Sequence, residues 1–139
     1  MDESDLVSLA QRIATQAHSG QFRRGGEVPY IRHPEDVASR MGADAHEQTV
    51  AWLHDVIEDC DVTAEDLLNQ GIPDRCVEAI VLMTKSKGVA YEDYLERICS
   101  NPLATRVKIA DMISNLADKP TNKQLKKYAK GLTRLTRDL

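Results

Sequence analysis

Apolar side chains recur every three or four residues along almost the whole chain, which is the period of an amphipathic helix. Leu6, Leu9, Ile13 and Ala17 share one face and predict a first helix over about Ser4–Ala17. The pattern then stops for 17 residues, HSGQFRRGGEVPYIRHP, rich in Gly and Pro. A compact domain rarely leaves so long a stretch structureless, and long loops of this kind often carry function. Pro34 suits the first turn of a second helix running to about Met41. A third is predicted over about Ala45–Asp59. Thr63, with Asp66 three residues on, has the form of an N-cap for a short fourth helix ending at Gly71. Pro73 opens a fifth that reaches about Thr84, and segments over Tyr91–Cys99, Pro102–Asp118 and Thr121–Thr136 complete the set. No strand-like alternation competes with these helices, although the YIRH segment could be locally extended. The fold class expected is all-α, a single-domain helical bundle of seven to eight helices.

Composition bounds the reading without changing it. With 139 residues, 42% of them hydrophobic, the chain is expected to form one domain over residues 1–139 with a real core. No apolar run approaches the roughly 18 residues of a membrane span. The opening MDESDLVSLAQR is acidic and polar, unlike a signal peptide. Cys60, Cys76 and Cys99 are odd in number and far apart, which argues against a disulfide framework or cysteine zinc site and for the reducing cytoplasm. Net charge is −4, unevenly spread: residues 119–139 hold seven Lys or Arg and one acid, Asp138. A basic tail can mark nucleic-acid binding. Here it has one aromatic, Tyr128, and an acidic body that repels phosphate, so nucleic acid is disfavoured as a partner. Leu125, Tyr128, Leu132 and Leu135 recur at helical spacing, which makes the lysines the wet face of a last helix.

The third helix carries the first chemical signal. At 100° per residue, Trp52, Leu53, Val56, Ile57 and Cys60 cover one side, and His54, Asp55, Glu58 and Asp59 the other. An imidazole and three carboxylates on one surface repel one another unless something positive sits there. A divalent cation is the natural solution, and this donor set suits manganese, iron or zinc. A solvated polar face is the alternative for the same pattern. His33, beside the Pro34 helix start, can project into a cleft or simply cap the helix. In RVKIADMISNLAD, Ile109, Ala110, Ile113 and Leu116 form an apolar face, with Lys108, Asp111, Asn115 and Asp118 opposite. That polar stripe is either exposed or a site wall. Together, His33, His54, Asp55 and Asp111 would supply four ligands and leave open positions for water.

In order and spacing, AHSGQFRRGGEVPYIRHPEDVA, AWLHDVIEDCDVT and RVKIADMISNL are far more specific than an HD pair. Across residues 17–116 the chain resembles the HD phosphohydrolase superfamily, and within it the (p)ppGpp-hydrolase domain of RelA/SpoT homologues, most of all the small alarmone hydrolases. The resemblance implies manganese bound by His33, His54, Asp55 and Asp111. It implies that Glu58 and Asp59 form the catalytic pair that positions or deprotonates the attacking water. It assigns Arg23 and Asn115 to nucleotide binding. Arg23, Arg24, Arg32 and Lys108 lie within the motif segments and could offset the charge of a polyphosphorylated substrate. Met112 stands where relatives commonly carry a basic residue, and Ile113–Ser114 where they carry a leucine-histidine pair. The implied activity is hydrolysis of the 3′-pyrophosphate of ppGpp or pppGpp to GDP or GTP and pyrophosphate, in the cytoplasm. The motifs fix the metal chemistry more tightly than the base. An adenine alarmone, the 2′-phosphate of NADPH, or a non-catalytic alarmone-binding module remain the alternatives.

Overall fold

The computed structural model describes residues 2–23 and 25–139, and among them the regular elements are all helices, with one isolated bridge in a loop. The helices are α1 (Glu3–Ala17), α2 (Arg32–Ser39), α3 (Ala45–Leu53), α4 (Val56–Asp59), α5 (Ala64–Asn69), α6 (Asp74–Met83), α7 (Tyr91–Cys99), α8 (Pro102–Leu116) and α9 (Asn122–Thr136). Each predicted helix is present. The third is divided, because α4 is a single turn that continues α3 beyond a break at His54–Asp55.

Local chemistry explains most of the boundaries. Reciprocal capping boxes start α1 (Asp2 with Asp5), α5 (Thr63 with Asp66) and α9 (Thr121 with Gln124), each satisfying backbone donors that the first turn leaves open. Asn101 caps α8, with Pro102 in its first turn. The break after Leu53 has a different cause. The Ala51 carbonyl, which an unbroken helix would offer to the Asp55 N–H, lies 2.7 Å from His54 Nδ1. Asp55 departs to φ −104° and ψ −4°.

The YIRH segment is not extended. Ile31 already has helical dihedrals, and Arg32 and His33 belong to α2, so His33 sits in the first turn of a helix rather than at a loop end. The preceding loop is also ordered by its own bonds. Phe22 and Pro29 form an isolated antiparallel bridge, flanked by Arg23 N–H to Val28 O at 2.7 Å and Tyr30 N–H to Gln21 O at 2.8 Å.

Helix α3 packs against α1, α2, α6 and α8, while α8 also meets α7 and α9. Leu53, Val56, Leu67, Ile80, Ile98 and Val107 are fully buried, each contributing about 1.5–3 kcal/mol of transfer free energy. The expected polarity of α8 is corrected. Asp111 and Ser114 are buried, Met112 is fully buried, and Ile113 is 40% exposed. Helices on several sides of α8 leave it no simple wet face. Where α9 crosses α8 the sequence carries Gly131, and a Cβ there would lie 2.7 Å from Met112 Cε. That close approach sets α9 against the end of the molecule that holds the candidate site.

Candidate metal centre and active site

Three elements bring the site together: the first turn of α2 supplies His33, the α3–α4 break supplies His54 and Asp55, and the middle of α8 supplies Asp111. His33 Nε2 lies 2.8 Å from Asp111 Oδ1 and 3.8 Å from Asp55 Oδ2. His54 Nε2 lies 3.1 Å from Asp55 Oδ2 and 3.4 Å from Asp111 Oδ1. Ligand atoms of His33, His54 and Asp111 all fall within 4.8 Å of one another, and those of Asp55, Glu58 and Asp59 form a second such group.

Proton accounting tests whether a cation fits. A backbone carbonyl only accepts, so His54 Nδ1 carries its proton toward Ala51 O. In the neutral ring, Nε2 then presents a lone pair to the two carboxylates. Among the described residues this buried atom has no hydrogen bond of acceptable geometry, despite its closeness to both. A buried lone pair facing carboxylate oxygens is a repulsive arrangement, relieved by a proton on Nε2 or by a divalent cation in the proton's place. The residues fit such a group.

Neighbouring side chains hold the carboxylates. Tyr30 donates its hydroxyl to Asp55 Oδ2 at 2.6 Å, and its ring centroid lies 4.9 Å from that of buried His18. Lys108 Nζ donates to Asp111 Oδ2 at 2.8 Å, and Asn115 Nδ2 to Asp111 Oδ1 at 3.2 Å. Burial works against ionising Asp111, but Lys108 and His54 outweigh it and hold its carboxyl well below the usual range. Burial likewise lowers the His54 imidazolium, and Asp55 and Asp111 more than reverse this. Lys108 is held charged against burial by Asp111. Asp59 moves the other way: burial, then Asp55 and Glu58, push it up to about 6. Burial and Asp55 also raise the Tyr30 phenol, which keeps it a donor.

Glu58 and Asp59 occupy different positions. Glu58 Oε1 accepts the Lys85 backbone N–H at 2.6 Å, tying α4 to the segment after α6. The Asp59 backbone carbonyl accepts from Gln21 Nε2 at 3.1 Å, which ties it to the loop. Arg23 Nη2 donates to Asp118 Oδ2 at 2.8 Å and reaches Asn115 Oδ1 at 3.5 Å, with its guanidinium 5.8 Å from the Tyr30 ring centroid. Arg24 lies outside the described residues.

Two cavities adjoin the cluster. One of about 830 Å³ runs from Glu58, Lys85 and Lys108 past Tyr91 to Lys127 and Lys130 of α9. The basic face of the last helix is therefore a wall of this cavity and not solvent face alone. The other, about 360 Å³, lies between Arg23, Arg32, His33, Asp36, Ser114 and Asp118.

No family model matches the chain. Among curated proteins, the guanosine-3′,5′-bis(diphosphate) 3′-pyrophosphohydrolase of Vibrio cholerae is 49% identical over 72 residues, covering 48% of this chain and 10% of that protein. The enzyme of the same name from Aquifex aeolicus is 30% identical over 124 residues, 81% of this chain and 18% of that protein. The chain belongs to the RelA/SpoT family of HD domains. It spans 10% and 18% of the length of these two relatives. A solved structure of a metazoan SpoT ortholog, described as hydrolysing ppGpp, superposes with a TM-score of 0.77 at 24% identity, covering 94% of this chain and 85% of that one, and shares its fold.

Within this RelA/SpoT-type domain, His33, His54, Asp55 and Asp111 converge, with Lys108 and Asn115 bonded to Asp111 and Arg23 beside Asn115. Sequence reasoning did not assign roles to His18, Asp36 or Ser114. Asp36 follows His33 by three residues and Ser114 follows Asp111 by three, so the i, i+3 rule on each helix was the available signal. Tyr30 sits in a loop, where no periodicity reveals which way a side chain points.

Proposed function

We propose that this chain hydrolyses the 3′-pyrophosphate of ppGpp or pppGpp, releasing GDP or GTP and pyrophosphate, with manganese held by His33, His54, Asp55 and Asp111. The observation that carries this reading is the convergence of two buried imidazole nitrogens on two carboxylates, with His54 Nε2 left without a hydrogen bond among the described residues. The names of the relatives, each a guanosine-3′,5′-bis(diphosphate) 3′-pyrophosphohydrolase, support the substrate. Manganese in such a site supplies Lewis acidity toward a phosphoryl oxygen and lowers the pKa of bound water toward neutrality.

The remaining work falls to the chain. The Asp59 carboxylate, within 4.8 Å of Asp55 by ligand atoms, accepts the proton of the attacking water. Glu58 orients that end of α4 through its bond to the Lys85 amide. Arg23 and Asn115 contact the nucleotide. The ammonium of Lys108 donates to Asp111, stands over the Tyr94 ring and lines the larger cavity, where its remaining charge faces a phosphate. Lys85, Lys127 and Lys130, which have no ion pair among the described residues, give the larger cavity the positive potential that a polyphosphate needs against an acidic body. Three free cysteines support a reducing compartment, the cytoplasm. No helix among the described residues is long and apolar enough to cross a membrane.

The test is pyrophosphate release from ppGpp with and without manganese, beside an Asp55→Ala control. Manganese-dependent release that the control lacks supports the reading. Folded, manganese-loaded protein that releases nothing removes ppGpp as substrate.

A further inference from the structure

Around His33 the hydrogen bonds continue past the metal cluster in a direction the proposed reaction does not use. His33 Nδ1 lies 3.3 Å from Ser114 Oγ, and Ser114 donates to Asp36 Oδ2 at 2.6 Å. The same Asp36 oxygen accepts from Arg40 Nε at 3.0 Å. His33 and Ser114 are 4% exposed, so little of their contact is open to water, while Asp36 is half-buried at the smaller cavity. A serine hydroxyl has one proton, and here it goes to a carboxylate that can only accept. Ser114 Oγ is then left as an acceptor, and the ring must bring the proton on Nδ1 to it. In the neutral imidazole the lone pair falls on Nε2, the atom 2.8 Å from Asp111 Oδ1.

We propose that Ser114 and Asp36 are positioning residues that hold His33 in the tautomer and orientation presenting Nε2 to the cation; the inference rests on the reading of His33 as a metal ligand. The two histidines are then oriented by different means. His54 is fixed by the main-chain carbonyl of Ala51, which no side-chain substitution removes. His33 depends on two side chains from different helices, α2 and α8, and is the ligand whose setting a point change can undo. Asp36 acts through Ser114 and never touches the ring. Without the carboxylate, the hydroxyl is free to turn its proton toward Nδ1, which favours the tautomer with the proton on Nε2 and no lone pair for a metal. Removing either residue weakens metal binding, and for different reasons.

The experiment uses the full chain, stripped of metal by chelation, as wild type, Ser114→Ala, Ser114→Thr and Asp36→Ala. Manganese affinity is titrated, and the His33 Nδ1 proton is followed by NMR in the metal-free protein. Outer partners of a metal-bound histidine are typically worth about 10–100-fold in metal affinity. A loss of about that size is expected in Ser114→Ala and Asp36→Ala, with Ser114→Thr, which keeps the hydroxyl, within a few-fold of wild type. The slowly exchanging Nδ1 proton should be present in wild type and lost or broadened in the first two. Unchanged affinity and an unchanged Nδ1 proton in Ser114→Ala and Asp36→Ala overturn the proposal. So does a Ser114→Thr protein, folded by circular dichroism, that falls as far as the alanine variant. If Ser114→Ala does not fold, Asp36→Ala, at a half-exposed position, decides. Should wild type bind no manganese while its Nδ1 proton still depends on Ser114 and Asp36, the metal reading fails and the orienting chain stands.

Discussion

Replacing Lys108 by methionine asks how much of the site's stability rests on one cation. The Lys108 side chain is 13% exposed and that of Asp111 7%, with Nζ and Oδ2 2.8 Å apart. Methionine keeps the length and apolar contacts of the lysine stem and deletes the charge. Asp111 then keeps Asn115 Nδ2 at 3.2 Å on Oδ1, but loses the only protein partner its Oδ2 has among the described hydrogen bonds. Removing one member of a buried pair costs about 3–5 kcal/mol, because the other charge stays buried. The surviving bond on Oδ1 places Lys108→Met at the lower end, about 3 kcal/mol. For a chain of this length that corresponds to a drop in Tm of roughly 10 °C.

Thermal denaturation of the metal-free protein, followed by circular dichroism, reads the loss directly. The informative comparison is the double-mutant cycle with Asp111→Asn. If the loss comes from stranding the carboxylate, Lys108→Met costs far less in the Asp111→Asn background, with a coupling energy of at least about 2 kcal/mol. A cycle that closes with no coupling would falsify the assignment and make Lys108 a packing residue. Added manganese should return most of the loss in Lys108→Met, since a bound cation supplies the charge that the lysine did.

Asp59→Asn should raise the Tm of metal-free protein at pH 7 while abolishing pyrophosphate release. A carboxyl raised to about 6 costs stability as pH climbs from its unfolded value near 4 through 6, so the gain should vanish below pH 4. Because Asp59 is exposed, the gain should be well under the about 2–3 kcal/mol that such a shift implies for a buried group; equal gains at both pH values would contradict this origin. Arg23→Ala should raise KM for ppGpp or lower turnover while manganese content, measured by elemental analysis, stays intact; lost metal would refute the substrate-contact role. Tyr30→Phe deletes the 2.6 Å bond to Asp55 and keeps the ring against His18, so manganese affinity should fall by about tenfold or more, as for a hydrogen bond to a charged group worth about 1.5–3 kcal/mol. Unaltered affinity would show that Asp55 needs no such support.

The helices were readable because period, caps and prolines are local properties. Thr63 with Asp66 marks α5 from the sequence alone, and its capping box forms as written. What sequence misjudged is what tertiary packing decides. A 100° projection of residues 45–59 keeps His54 and Asp55 on a polar face of one continuous helix. In the structure the His54 ring takes the Ala51 carbonyl, the helix breaks, and His54 becomes 2% exposed. The same holds for α8, where the projection names Ile113 as core and the stripe through Asp111 as its opposite. Packing from α2 and α3 buries Asp111 and half-buries Lys108 and Asn115 of that stripe, while Asp118 and Ile113 stay exposed. Both departures have one physical origin. Amphipathicity assigns polar residues to water by default, and it fails where polar groups are buried against each other with their protons accounted for. The two places where the periodic reading failed are the two that bring His54, Asp55 and Asp111 together. Burying that many charged and polar groups is costly unless they satisfy one another or a cation. A local conflict between pattern and burial is thus itself a pointer to the site, independent of any motif.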